Sequence, residues 1–324
     1  MSPSADIASP SVGVVIPTDG GRPEALARAL RAVSAQDYPG SVEVIVVVDG
    51  GPVADVAEQV ADVIAPARPL TPRPTAEGTP DAPLVRVLPN RRRPGLPGAR
   101  NTGIEALSTD LVAFCDDDDE WLPGKLDAQV SALAAEPGAV FASCAIEVAY
   151  GSRRVPRHAG TARVTRAHLV RSRMVMVHSS TFLFRRGSLR VDESAPAGQN
   201  EDWDLALRAA GLRPIVNVDS PLVRVHWGAS HYVARWADRI AGLEWMLARH
   251  PELTVDPRGA ARIYGQLAFH HAALGHRREA GRWAWRAFAA RRAEPRAPIA
   301  LAVAARLVPA RTVVSLLHTR GHGI

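Results

Sequence analysis

The sequence predicts an α/β chain: a mostly parallel sheet flanked by helices, followed by a C-terminal α-helical extension. Three observations carry that expectation. Over the first 120 residues, short β-branched runs alternate with helix-spaced segments, as crossover units of a parallel sheet require. Prolines, glycines and aspartates punctuate the ends of those runs. Beyond about residue 231 the β character stops, and apolar residues recur only at turn spacing.

Taken in order, "VGVVIP" (12–17) is a buried strand ending in proline, and "RPEALARALRAVSAQ" (22–36) a helix with Leu26, Leu30 and Val33 on one face and Pro23 in its first turn. "VEVIVVVDGG" (42–51) is the strongest strand signal and stops in a Gly-Gly turn; "PVADVAEQVADVI" (52–64) is helical. The proline load of residues 65–83 reads as an exposed loop insertion. "LVRVLP" (84–89), "GARNTGIEALS" (98–108) and "LVAFC" (111–115) then read as strand, short helix and strand. Further on, "KLDAQVSALAA" is helical, "AVFASCAIEVAY" and "SSTFLF" are strand-like, and "NEDWDLALRAAG" is a helix with Asn200 as N-cap, closed by Gly211. "PIVNVDSPLVRVHW" returns to β. In the tail, Ile263, Leu267 and Leu274, then Ala280, Trp283, Ala284, Ala287 and Phe288, form two helical stripes around Gly275. The expected organisation is a disordered N-terminus (1–11), an α/β domain (12–230) and a basic helical region (231–324).

Of the 324 residues, 47% are hydrophobic and 22% charged, which fits a soluble globular protein. The two cysteines, Cys115 and Cys144, lie in apolar stretches and are expected to be reduced, as suits a cytoplasmic protein. No signal-peptide pattern opens the chain, and no apolar run approaches the ~20 residues of a spanning helix. The net charge of +6 is uneven: residues 1–230 carry 24 basic and 27 acidic side chains, residues 231–324 carry 15 and 6. Every basic residue of the tail is arginine, and the single lysine is Lys125. No zinc spacing or aromatic-interleaved basic motif accompanies the tail, so nucleic acid is not expected as a partner. An anionic membrane surface or a phosphate-rich substrate remains compatible with it.

Ligands of such sheets bind beyond the carboxyl ends of the strands, and three clusters fall there: Pro17-Thr18, Asp49-Gly50-Gly51 and Asp116 to Asp119. Four adjacent carboxylates after an apolar strand repel one another and call for an offsetting charge. Mg²⁺ takes such oxygen ligands together with substrate phosphates; on extended backbone Asp116 and Asp118 would point the same way, with Asp117 turned elsewhere. Asp49 suits either a nucleoside contact or the turn before Gly50-Gly51. Arg100 in "RRRPGLPGARN" offers a bidentate cation near the acids, or a surface charge. Glu201 and Asp202 either complement the dipole of the helix they open or supply a general base, with Trp203 shielding water or stacking on a sugar. His226 is an ordinary histidine or a further metal ligand. No Gly-x-Gly-x-x-Gly follows a strand, which disfavours a dinucleotide oxidoreductase.

In register, "VVIPTDGGR", "VVVDGG", "GARNTGI", "FCDDDDEWLPGKL", "NEDWDLALR" and "VRVHWGASH" resemble the family 2 glycosyltransferases of GT-A fold, whose pattern runs "VVIPTYNR", "VVDDGS", "ARNxGI", "FLDDDDEWLP", a helix-opening "ED" and a late "RxHxxxxS". The resemblance covers about residues 12–230. It implies an inverting transferase that moves a sugar from a nucleotide diphosphate sugar, expected to be UDP-linked, to the hydroxyl of a saccharide, lipid-linked glycan or small molecule. Pro17, Thr18 and Asp49 would shape the base pocket, Arg100 would approach the nucleotide and Asp116 the ribose. Asp118, of the Asp-x-Asp motif, would bind Mg²⁺ or Mn²⁺ on the diphosphate with help from His226, and Asp202 would deprotonate the acceptor. Asp19-Gly20 replaces the family's Tyr-Asn and Gly50 its second Asp, departures that bear on nucleotide identity. The alternative of another class is a catalytically silent GT-A module that binds a nucleotide sugar or a partner.

Overall fold

A computed structural model describes residues 9–64, 84–226 and 235–319. The proline-rich stretch 65–83 and most of the N-terminal segment lie outside them. The sheet is built from β1 (Val12–Thr18), β2 (Val42–Val48), β3 (Leu84–Pro89), β4 (Leu111–Phe114), β5 (Asp119–Trp121), β6 (Phe141–Tyr150), β7 (Arg153–Arg157), β8 (Arg163–Val164), β9 (Leu183–Arg185) and β10 (Ile215–His226). Its main order is β3-β2-β1-β4-β9-β6-β10-β5, with β7 added to β6 and β8 to β10. Strands β3, β2, β1 and β4 run parallel, while β9 and β5 run against their neighbours. The sheet is therefore mixed but mostly parallel, as the alternation predicts.

The period of two divides the strands between two cores. Val12, Val14, Ile16, Val44, Val46 and Val48 pack with α1 (Pro23–Ser34), α2 (Val53–Ile64) and α4 (Lys125–Ala135) on one face. Val15, Ile45 and Val47 pack on the other with α3 (Leu96–Ala106) and α6 (Glu201–Leu212). That second core also takes in Ile240, Leu243 and Met246 of α7 (Trp236–Arg249) and Ile263 and Leu267 of α8 (Pro257–Ala273). The extension is thus continuous with the sheet's own core. Helices α8, α9 (Arg277–Ala290), α10 (Arg296–Ala304) and α11 (Ala310–Thr319) share a further, alanine-rich cluster, and α8 turns into α9 at Gly275, whose φ is +82°.

Local corrections have local causes. Of "SSTFLF" only Leu183 and Phe184 are strand, opening β9; Ser179–Thr181 form a 3-10 turn capped by His178. Asn200 precedes α6 in the left-handed region, which asparagine tolerates, and its side chain makes no cap bond. Gly211 lies inside α6, which ends at Leu212.

Helix α3 lies hard against β1. A Cβ added to Gly103 would sit 2.3 Å from Val15 Cγ1, inside van der Waals contact. Gly103→Ala is expected to cost about 1–3 kcal/mol, the range for overpacking a tight core. Urea unfolding reads it as a lower midpoint at unchanged slope; an unchanged midpoint would mean that α3 moves off β1 freely.

Candidate active site

Parallel pairing brings the carboxyl ends of β1, β2 and β4 together, and with them the three clusters. After β4 the chain makes a tight turn, Asp119 N–H donating to Asp116 C=O at 3.1 Å, before β5 runs antiparallel to β10. This turn replaces the extended backbone expected at 116–118, and it fans the carboxylates apart instead of alternating them. Asp116 faces Arg100, whose Nη2 donates at 2.6 Å, and accepts from Ser179 Oγ at 2.7 Å. Asp117 accepts from Thr18 Oγ1 at 2.6 Å and from Arg22 Nη2 at 2.5 Å. Asp118 pairs with Arg22 through Nη1. Asp119 accepts from Ser180 Oγ at 2.6 Å and lies 3.4 Å from His178 Nδ1.

The electrostatics follow from this sorting. Burial raises the Asp117 carboxyl to about 7, Thr18 and Arg22 opposing and Asp118 and Asp116 adding to the rise. Burial, reinforced by Asp116 and Asp118, lifts Asp119 well above the carboxylate range. Asp118 also shifts up, by burial against the opposing charge of Arg22. Asp116 alone shifts down, because Arg100 and His178 overcome its burial. A lip of hard oxygen donors short of positive charge fits a divalent cation. One ligand atom each from Asp116, Asp119 and His178 already lie within 4.8 Å of one another.

His226 ends β10. The β10–β5 register pairs Val225 with Asp119, which brings His226 to the end of the strand beside the acidic turn. Its Nε2 is shut from solvent, makes no hydrogen bond and lies 3.6 Å from Glu120. An imidazole nitrogen closed from solvent, with a carboxylate nearby but no hydrogen-bond partner among the described residues, is a second feature that fits a cation here.

Arg100 is buried, its side chain 1% exposed. Its guanidinium bridges Asp116 and Glu201 and stands 5.3 Å from the centre of the Phe114 ring. Arg100 therefore faces the lip only through Asp116. Burial raises Glu201 to about 7, against the opposing charge of Arg100. Beside it, both oxygens of Asp202 accept from Arg173 Nη2, at 2.8 and 2.9 Å, and Oδ1 accepts from Trp203 N at 2.8 Å. Burial acts upward on Asp202, but Arg173, His178 and Arg100 together bring it below the usual carboxylate range. Trp203 is core: 1% exposed, its indole N–H on Leu169 C=O, it has no face for a sugar.

At the other clusters, Pro17 is buried in β1 opposite Val47, and Thr18 Oγ1 also accepts from Gly20 N. Asp49 is taken up internally, Oδ1 accepting from Asn90 Nδ2 at 2.7 Å and Oδ2 from Gly95 N at 2.8 Å. It thereby ties the loop before α3 to the end of β2.

Sequence reasoning missed Arg22, Arg173, His178, Ser179 and Ser180. Arg22 stands in the quoted "PTDGGR", where a lone arginine before a helix gives no hint of its two aspartate partners 95 and 96 positions away. "HSS" sits at the start of a segment read as strand, and nothing local marks its approach to residues 116–119.

The profile described as "Glycosyl transferase family 2" matches residues 13–191. An N-acetylglucosaminyltransferase of Bradyrhizobium sp. (strain ANU 289) is 29% identical over 114 residues, 35% of this chain and 65% of that protein. The chain thus spans less than two thirds of that curated relative. Among solved structures, S. aureus TarS 1–349 in complex with UDP-GlcNAc superposes with a TM-score of 0.55 at 15% identity, covering 96% of this chain and 92% of that one. Longer S. aureus TarS gives 0.54 at 14% identity, over 91% of this chain and 53% of its own. The mannosyltransferase PcManGT from Pyrobaculum calidifontis, in complex with GDP-Man and Mn²⁺, gives 0.52 at 19% identity, over 95% and 79%. At these identities the likeness is one of fold, and that fold is GT-A.

Proposed function

The chain belongs to glycosyl transferase family 2, and from that premise we propose that it is an inverting transferase. It moves a sugar from a nucleotide diphosphate sugar, UDP-linked, to a hydroxyl of a saccharide, lipid-linked glycan or small-molecule acceptor. The observation that carries this reading is Asp202: an ionised carboxylate in the first turn of α6, oriented through both oxygens by Arg173 and joined to the acidic lip through Glu201, Arg100 and Asp116. A silent binding module has no use for an oriented, ionised carboxylate there.

In this reading Asp202 accepts the proton of the acceptor hydroxyl as its oxygen attacks the anomeric carbon. Pro17, Thr18 and Asp49 shape the base pocket, Asp116 meets the ribose, and Arg100 holds Asp116 in place from behind. Asp118 and His226 would hold a divalent cation, Mg²⁺ or Mn²⁺, which would supply positive charge against the departing diphosphate. The printed partners of the similar proteins, UDP-GlcNAc and GDP-Man with Mn²⁺, support a nucleotide sugar and a metal. Exposed Arg277, Arg278, Arg282 and Trp285 support contact of the tail with an anionic membrane face, from the cytoplasmic side. No helix among the described residues is long and apolar enough to cross a membrane.

One observation favours a second ligand set, the mutual reach of Asp116, Asp119 and His178. Calorimetric titration of UDP-GlcNAc with Mn²⁺ separates the two. His226→Ala is expected to weaken Mn²⁺-dependent binding by more than the ~10–100-fold that losing an outer partner costs, with His178→Ala close to wild type. The reverse order assigns the ion to the 116/119/178 set. No Mn²⁺-dependent binding of any nucleotide sugar by the unmodified chain would refute the reading.

A further inference from the structure

A cavity of about 360 Å³ lies between the segment around residues 172–175, the start of α6 and helices α7, α8 and α10. That volume is within the ~300–1,000 Å³ of small-molecule sites. Most of its wall comes from beyond residue 191, where the family match ends. Helix α7 packs closely on the extended residue Gln199 before α6: a Cβ on Gly242 would sit 2.5 Å from Gln199 Cβ.

The lining carries Arg173, Arg239, Arg262, Arg296 and His270, and among the described residues no carboxylate. Two of the four guanidinium groups have ion-pair partners, Arg173 with Asp202 and Arg296 with Glu294. Arg239 and Arg262 have none among the described residues; they stand over the Trp236 and Trp203 rings at 5.9 and 5.2 Å. Arg239 Nε, Arg262 Nε and Nη2, Arg296 Nε and His270 Nδ1 are closed off from solvent with no hydrogen-bond partner. Burial, and after it the charges of Arg296 and Arg173, push Arg262 down to about 9. Burial and then Arg239 push His270 down to about 3, so it stands as a neutral donor beside the arginines.

Partly buried guanidinium groups without an ion pair are costly, and a fold that sets two of them, Arg239 and Arg262, with two paired arginines around one cavity is complementary to an anion. We propose that this cavity binds a phosphoryl group carried by the acceptor. Two unpaired forks match a group with two negative charges and three terminal oxygens better than a carboxylate with one charge and two. Arg173 belongs both to this wall and to Asp202, so a phosphate seated here fixes the acceptor beside the base. As an anion site the inference is independent of glycosyl transfer; as an acceptor site it rests on that reading.

The test is calorimetric titration of the full chain at fixed ionic strength, with UDP and Mn²⁺ saturating, using inorganic phosphate, glycerol 3-phosphate and gluconate as probes. Both phosphates are expected to bind, and gluconate more weakly. Arg239→Gln and Arg262→Gln are each expected to weaken the phosphates by about ten-fold or more, the loss of a charge-assisted hydrogen bond, with UDP affinity unchanged. Should Arg262→Gln not fold, Arg262→Lys and Arg239→Gln carry the comparison. Phosphate affinity equal in wild type and variants, gluconate binding as tightly, or competition between phosphate and UDP for one site would each overturn the proposal. Loss of UDP binding alone sinks glycosyl transfer and leaves the anion site standing; UDP-sugar turnover without phosphate binding sinks the anion site alone.

Discussion

Asp202→Asn is expected to lower turnover by about 10²–10⁴-fold, the usual contribution of a positioned general base, while donor binding persists. Asparagine keeps the shape of the side chain and one oxygen, able to accept from Arg173 and Trp203 N–H, while its amide nitrogen takes the place of the second oxygen that accepts from Arg173. What it loses is the capacity to take a proton. Asp202 is buried and held by Arg173, His178 and Arg100 below the usual carboxylate range. It is therefore ionised at neutral pH, and the substitution removes a charge that is present. The measurement is release of nucleotide diphosphate and transferred sugar, with donor affinity determined separately by calorimetry. Undiminished turnover would remove Asp202 from the chemistry. A fall in donor affinity equal to the fall in turnover would make it a binding residue.

Arg100→Met is expected to be the most destabilising change at the site, by about 3–5 kcal/mol, as for removing one partner of a buried ion pair. Arg100 serves Asp116 and Glu201 at once from a position 1% exposed, and methionine fills similar space with no charge. Two acids then stay behind: Glu201, which burial already raises to about 7, and Asp116, which Arg100 does most to hold down. Arg100→Lys is expected to recover only part of the loss, since one ammonium does not reproduce a fork that spans two carboxylates. Chemical unfolding midpoints measure both variants. A midpoint for Arg100→Met within experimental error of wild type would mean that the triad is not what joins α6 to the end of β4.

The role of "GARNTGI" illustrates how much a motif conveys. Its order in the chain marks the family, but its residues work from within. Arg100 is buried, Asn101 clamps Val191 through bonds to that residue's C=O and N–H at 2.8 and 3.0 Å, and Gly103 permits contact with Val15. A basic loop near an acidic cluster left Arg100 either a cation reaching a phosphate or the carboxylates, or a surface charge; packing of α3 on β1 turns it inward onto Asp116 and Glu201. The basic tail likewise reads as surface charge from composition alone. Packing of α7, α8 and α10 sends Arg239, Arg262 and Arg296 to line a cavity.

The sequence by itself determined strands β1 to β4 and the meeting of Thr18, Asp49 and Asp116 to Asp119 at one sheet edge. Those depend on short-range periodicity, and parallel topology gathers the strand ends without knowledge of distant partners. Only the tertiary structure decided which carboxylate meets which donor. The partners of Asp116, Asp117 and Asp202 come from Ser179, Arg22 and Arg173, at separations of 63, 95 and 29 residues, and the turn at 116–119 sets the directions of the acids. A side chain's direction after such a turn is fixed by what packs around it, and four identical residues in a row carry no local signal to tell them apart.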